Sequence, residues 1–173
     1  MPLNKALRYQ ILKVMFRSTS LSSEEKQRHL KLEMAENFSD YDVTMKYACE
    51  ASENDRKSKD KLWAAYITPN SDYFKSLHHF KASAPSFYNY EDKSMCEHFG
   101  NLFFRDLEKV FATQHRDYAE VFFNNLSPAT FLTDTKPYKE ILERVKASDN
   151  THFINLLEEE IERIEEILLV RSG

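Results

Sequence analysis

Glycine is almost missing from this chain, with 2 in 173 residues. Sharp β-turns and phosphate-cradling loops lean on glycine, which tolerates positive φ and close backbone approach. Its scarcity argues against a β-rich fold and against a nucleotide-binding loop. Helices joined by short polar loops fit better. A basic excess is missing too. The net charge of −4 offers no electrostatic footprint for nucleic acid. No stretch approaches the roughly 18 consecutive apolar residues that span a membrane. The N-terminal MPLNKALRYQILKVMF is amphipathic, with charges through its middle, and does not read as a signal peptide. Cysteine is scarce: Cys49 and Cys96 lie far apart, and neither has a CxxC partner. They read as small buried apolar residues, with a structural disulfide as the alternative. Asn37-Phe38-Ser39 and Asn125-Leu126-Ser127 match the glycosylation sequon, which carries little weight without a secretion signal. The expected compartment is the cytoplasm.

Aromatic residues are plentiful, with Phe 13, Tyr 9 and Trp 1 in a length sufficient for one domain. The chain is organised around residues 95–131. Met95, Phe99, Leu102, Phe103, Leu107, Val110 and Phe111 follow one another at helical spacing. Phe104 widens that stripe beyond one face. A helix apolar on two sides has neighbours on both and belongs inside an array. Tyr118, Val121, Phe122 and Leu126 repeat the pattern until Ser127-Pro128 stops it. The reading is a helical hairpin with an aromatic seam.

The remaining segments read as helices as well. Asn4 to about Arg17 carries Leu7, Ile11 and Met15, with Leu12 alongside. Ser22 and Glu25 form a capping box for a helix with Leu30 and Met34, running to about Glu36. Ser39 caps the next, with Tyr41, Met45, Ala48 and Cys49. Asn54-Asp55 starts a fourth, with Leu62, Trp63, Tyr66 and Ile67 on one face. After the Thr68-Pro69-Asn70 turn, Ser71 or Asp72 caps a short helix holding Phe74, Leu77 and Phe80. Residues 82–90 read as an irregular, aromatic stretch. Thr133, Asp134 or Thr135 caps a helix with Pro137 in its first turn. Asp149, Asn150 or Thr151 caps the last, which carries Phe153, Leu156, Leu157, Ile161, Ile164 and Leu168. The fold class predicted is all-α, about nine helices in antiparallel pairs, forming a compact bundle or, preferably, an α-solenoid of HEAT or armadillo type. No strict sequence period supports the tetratricopeptide or ankyrin templates.

Catalytic constellations are hard to find. A zinc site wants two ligands three or four apart on a helix plus a third. Of His29, His78, His79, His98, His115 and His152, the adjacent His78 and His79 point about 100° apart on a helix. Cys96 and His98 are also poorly spaced. There is no H-E-x-x-H, no G-x-S-x-G and no Gly-rich phosphate loop. Glu158, Glu159, Glu160, Glu162, Glu165 and Glu166 fall off the last helix's apolar stripe and read as a solvated face. No catalytic, cofactor-binding or metal-binding residue is predicted.

The order of these signals resembles the C-terminal helical domain of zinc aminopeptidases of the aminopeptidase N type, including the puromycin-sensitive and endoplasmic-reticulum enzymes. Four stretches carry the resemblance. The first is Leu21 to Glu25 followed by Asn37-Phe38-Ser39-Asp40. The second is Lys59-Asp60-Lys61-Leu62-Trp63, preceded by residues 51–55, similar to the family's Lys-x-x-x-Trp helix. The third is Phe103-Phe104-x-x-Leu107-x-x-Val110-Phe111, then Phe122-x-x-x-Leu126-x-Pro128. The fourth is Glu162-Arg163-Ile164 with Arg171. Together they cover nearly the whole chain. The sequence departs from the family at His79-Phe80, where glycine is common before the aromatic, and at Ser52-Glu53, where proline is common.

The resemblance implies a single helical domain over residues 1–173 that is a C-terminal fragment of a larger enzyme. The family's zinc and its H-E-x-x-H and Gly-x-Met-Glu-Asn motifs belong to an upstream thermolysin-like domain. No catalytic residue carries over, and the cofactor implied is zinc in that upstream part. The partners implied are the upstream catalytic domain and peptide substrates at a concave helical face. The rival expectation is a free-standing solenoid adaptor that binds protein partners.

Overall fold

The computed structural model describes residues 3–35 and 38–172. Asn37 of the first sequon and the expected helix end at Glu36 lie outside the described residues. Nine α-helices and no strand occur among the described residues. They are α1 (Lys5–Arg17), α2 (Ser23–Ala35), α3 (Asp40–Ser52), α4 (Arg56–Ile67), α5 (Leu77–Ser83), α6 (Lys93–Thr113), α7 (Arg116–Leu126), α8 (Lys136–Val145) and α9 (Thr151–Ser172). Single 3-10 turns occupy Ala84–Ser86 and Ala129–Phe131.

Caps set most of the boundaries. The Ser22 N–H donates to Glu25 Oε2 at 2.9 Å, and the Glu25 N–H donates to Ser22 Oγ at 3.2 Å, closing the expected box. Asp55 accepts from the Ser58 N–H, Asp92 from the Met95 N–H and Asn150 from the Phe153 N–H. The arrangement is the layered one of an α-solenoid. Helices α1, α3, α5 and α7 touch in succession, and α4, α6 and α8 do the same. Helix α9 folds back on α8.

The main core joins α4 to α9 around Trp63, Phe99, Phe103 and Phe122. A smaller cluster of Tyr9, Leu12, Phe16, Leu30 and Cys49 holds α1 and α2 against α3. Cys49 and Cys96 are both buried free thiols, so the disulfide alternative does not form.

Four expectations are corrected. The fifth helix starts later than Ser71 or Asp72. Asn70, at φ 51°, turns the chain, Phe74 stacks on Tyr66 at 5.4 Å, and Ser76 is the cap. That helix and its 3-10 extension run to Ser86, so the irregular aromatic stretch is shorter than residues 82–90. In α1 the buried face is Tyr9, Leu12 and Phe16, while Leu7 and Ile11 are 45% and 43% exposed. The Tyr9 hydroxyl donates to Asp42 Oδ1 at 2.6 Å, which turns that face inward. The fourth correction is Glu160, which is buried. Three residues after Leu157 and four before Ile164, it lies on the inward face of α9.

Candidate functional site: a groove along α6

Lys93, Glu97, Gly100, Asn101 and Phe104 recur at steps of four, three, one and three, so they share one face of α6. Across from them run Thr130, Phe131, Leu132 and Thr133, with Pro137 at the start of α8 and Tyr90 at one end. Between the two walls lies an open groove of about 860 Å³. Ligand-binding clefts commonly occupy about 300–1,000 Å³.

One glycine permits this geometry. A Cβ on Gly100 would lie 3.1 Å from Phe131 Cε2 and 3.2 Å from Pro128 Cβ. Without it, the segment after α7 closes directly onto α6. The opposite wall is fixed from behind by a buried polar cluster. Ser127 Oγ donates to Glu160 Oε1 at 2.7 Å. Its one proton is thereby used, so the Tyr138 hydroxyl, 2.6 Å away, donates to Ser127 Oγ. Arg163 closes the cluster with two bonds to Glu160, at 2.7 and 2.8 Å. Burial alone would raise the Glu160 carboxyl. Arg163 and Ser127 outweigh it and hold the group below the usual carboxylate range. Behind the aromatic end of the groove lies Tyr88, whose hydroxyl donates to the Leu126 carbonyl at 3.0 Å. The Tyr88 and Tyr90 rings stand 5.4 and 6.3 Å from that of Phe131.

The lining of the groove offers contacts and no activated nucleophile. Cys96 lines it, but the thiol donates to the Asn89 carbonyl at 3.3 Å, and burial raises its pKa. A protonated thiol is a poor nucleophile. Phe104, Phe131, Leu132 and Tyr90 offer apolar contact. Asn101, Thr130 and Thr133 offer hydrogen bonds to an extended backbone, and Lys93 and Glu97 place both charge signs on the α6 side.

The histidines are scattered. His79 stacks on Tyr47 at 4.6 Å, His98 lies beside Arg56, and His152 lies beside Glu120. His78 and His115 are exposed. Among the described residues no three His, Cys, Asp or Glu side chains gather to hold a metal ion, and no helix is long and apolar enough to cross a membrane. The sequence carried two overlooked signals for the groove. Gly100 interrupts an aromatic helix, the mark of a close approach. Glu160 recurs at core spacing. No protein-family profile and no curated protein matches the chain.

Proposed function

We propose that this chain is the C-terminal helical domain of a zinc aminopeptidase of the aminopeptidase N type. In this reading it covers an active site supplied by an upstream domain and gates which peptides reach it. One observation carries the proposal. Two of the four resembling stretches meet at a single indole: Trp63, from the Lys-x-x-x-Trp helix, lies 5.6 Å from Phe122 of the paired aromatic helices and donates to Asp106 on the same pair. Residues that resemble a family in order along the chain also act together in space. The groove along α6 is then a surface for part of a long peptide, away from the bond that is cut.

Zinc and the groups that activate water belong to the upstream part. Peptide hydrolysis by such a centre needs three protein ligands, an open metal position and a nearby general base. A helical cover changes substrate choice more than intrinsic chemistry.

The test compares the full-length enzyme with a version truncated before Met1 of this chain, on short aminoacyl reporters and on longer peptides. Loss of length preference on truncation is expected, as is no turnover by the isolated chain. Equal length preference in both would remove the gating role, and zinc-dependent turnover by the isolated chain would overturn the assignment. A natural product of this size, or an upstream sequence lacking H-E-x-x-H, would favour the adaptor reading.

A further inference from the structure

Helix α1 is apolar on two opposite faces. Tyr9, Leu12 and Phe16 enter the smaller core. Leu7, Ile11 and Val14, with Leu3 just before the helix, recur at steps of four, four and three on the other side. These four are 43–64% exposed. Leu32 of α2, 61% exposed, joins Ile11 in lining a shallow crevice of about 290 Å³ between the two helices. Single exposed leucines need no explanation, but a continuous row at helical spacing marks an interaction surface.

Two observations indicate what covers it. The first is continuity of the layer. Helices α3 and α5 each touch an odd-numbered helix on both sides, α1 and α5 in one case, α3 and α7 in the other. Among the described helices α1 comes last in that layer, and its exposed row lies on the side opposite the residues that pack toward α3. The second is charge. Helix α1 carries Lys5, Arg8, Lys13 and Arg17 and no acidic residue. At about 100° per residue, Lys13 and Arg17 border the apolar row on one side. On the other, Arg8 is paired with Glu33 of α2 at 2.8 Å, and Lys5 is paired with Asp42 at 2.6 Å, so the charge open to a partner is that of Lys13 and Arg17.

We propose that the outer face of α1, with Leu32, is a docking surface for an amphipathic α-helix whose apolar stripe is bordered by acidic side chains. The helix lies along α1 and extends the layer. The inference does not depend on the aminopeptidase reading, because a solenoid of any function needs its end faces covered or polar.

The test uses the full chain and two labelled synthetic peptides sharing one Leu/Ile stripe, bordered by Glu in one and by Lys in the other. Anisotropy titration is expected to show the Glu-bordered peptide binding about tenfold or more tighter, with an affinity that falls as salt is raised. Ile11→Asp should abolish binding while circular dichroism and Trp63 emission stay unchanged. If that variant fails to fold, Val14→Asp, at the most exposed position of the row, serves instead. No binding, equal binding of the two peptides, or full binding by a folded variant overturns the proposal. So does a concentration-dependent dimer that Ile11→Asp abolishes, which assigns the face to a second copy. Ile11-dependent sedimentation with phosphatidylserine vesicles overturns it in favour of a lipid surface.

Discussion

Replacing Trp63 by alanine tests the central joint of the fold. The indole is 3% exposed and touches rings from three directions: Phe87 at 5.6 Å, Phe99 at 5.5 Å and Phe122 at 5.6 Å. Its Nε1 donates to Asp106 Oδ2 at 2.9 Å. Alanine removes the ring and leaves a void walled by side chains from different helices, which cannot all collapse inward together. Buried tryptophan truncations cost about 3–5 kcal/mol, and this site belongs in the upper half. The lost N–H bond adds little beyond that. Asp106 keeps two bonds from Arg105, at 2.9 and 2.7 Å, so its carboxylate is not orphaned. Trp63→Phe is the milder test: it keeps a six-membered ring and loses the rest of the indole with its N–H, with an expected cost of about 1–3 kcal/mol. Urea unfolding followed by far-ultraviolet circular dichroism reads both variants, since the alanine form has no tryptophan left to report. A loss under about 1 kcal/mol for Trp63→Ala would refute the reasoning, because no well-packed indole is removed so cheaply.

Asp42 accepts from Tyr9, Lys5, the Ser39 hydroxyl and the Ser39 N–H at 2.6–2.7 Å. Burial alone would raise its pKa, and the four donors outweigh it and hold the group well below the usual carboxylate range. A depressed folded-state pKa contributes stability above the unfolded value, about 3.9, that is lost as pH falls below it. Urea midpoints measured at falling pH should therefore drop more steeply for the parent chain than for Asp42→Asn, and parallel profiles would contradict this. Lys59 Nζ donates to the Ala51 and Phe87 carbonyls, and burial, reinforced by Arg17, pushes its pKa down to about 7. The unfolded amine keeps its proton to about 10.4, so between these values stability rises with pH, by at most about 1.4 kcal/mol per unit. Lys59→Met should lack that slope in urea titrations between neutral and alkaline pH; an equal slope would remove Lys59 as its source. Gly100→Ala gains about 1 kcal/mol of helix propensity but presses on the buried Pro128, so a net loss of about 1 kcal/mol is expected in the same assay. A clear stabilisation would show that the wall of the groove yields.

Much of the fold was legible because local chemistry and global arrangement agree. The cap at Ser22 is fixed by hydrogen bonds within a turn, so sequence spacing alone finds it; at the fourth and last helices spacing narrows the start to Asn54-Asp55 and to Asp149, Asn150 or Thr151, and the bonds to the Ser58 and Phe153 N–H groups select Asp55 and Asn150. The stop at Ser127-Pro128 is equally local. Ser71, Asp72 and Ser76 all precede Leu77 and Phe80, and what selects Ser76 is Phe74, before it, docking on Tyr66, a contact from another helix. Glu160 shows the same limit. A glutamate among five others reads as solvent-facing, and only the Ser127, Tyr138 and Arg163 partners, brought together by the fold, make its burial tolerable. The groove was illegible for a further reason. Its far wall follows α7 by a few residues, yet the wall's position depends on a side chain that Gly100 does not have.

The two-sided apolar pattern is the most instructive case. In α6 it implied neighbours on both sides, and the structure supplies them in α4, α7 and α8. In α1 the same physical rule holds, but Leu7 and Ile11, which share the apolar stripe read from the sequence, lie on a second face that points outward. Helical periodicity identifies which residues share a face and does not identify which face meets the rest of the chain. Tyr9 decides that here, because its hydroxyl reaches Asp42 only if Leu12 and Phe16 turn inward with it. Leu7, Ile11 and Val14 are then left outside by geometry, although their hydrophobicity is that of core residues. A surface row of that kind costs solubility unless something covers it. That row, flanked by Lys13 and Arg17, is therefore the part of this sequence that folding of the chain alone does not explain.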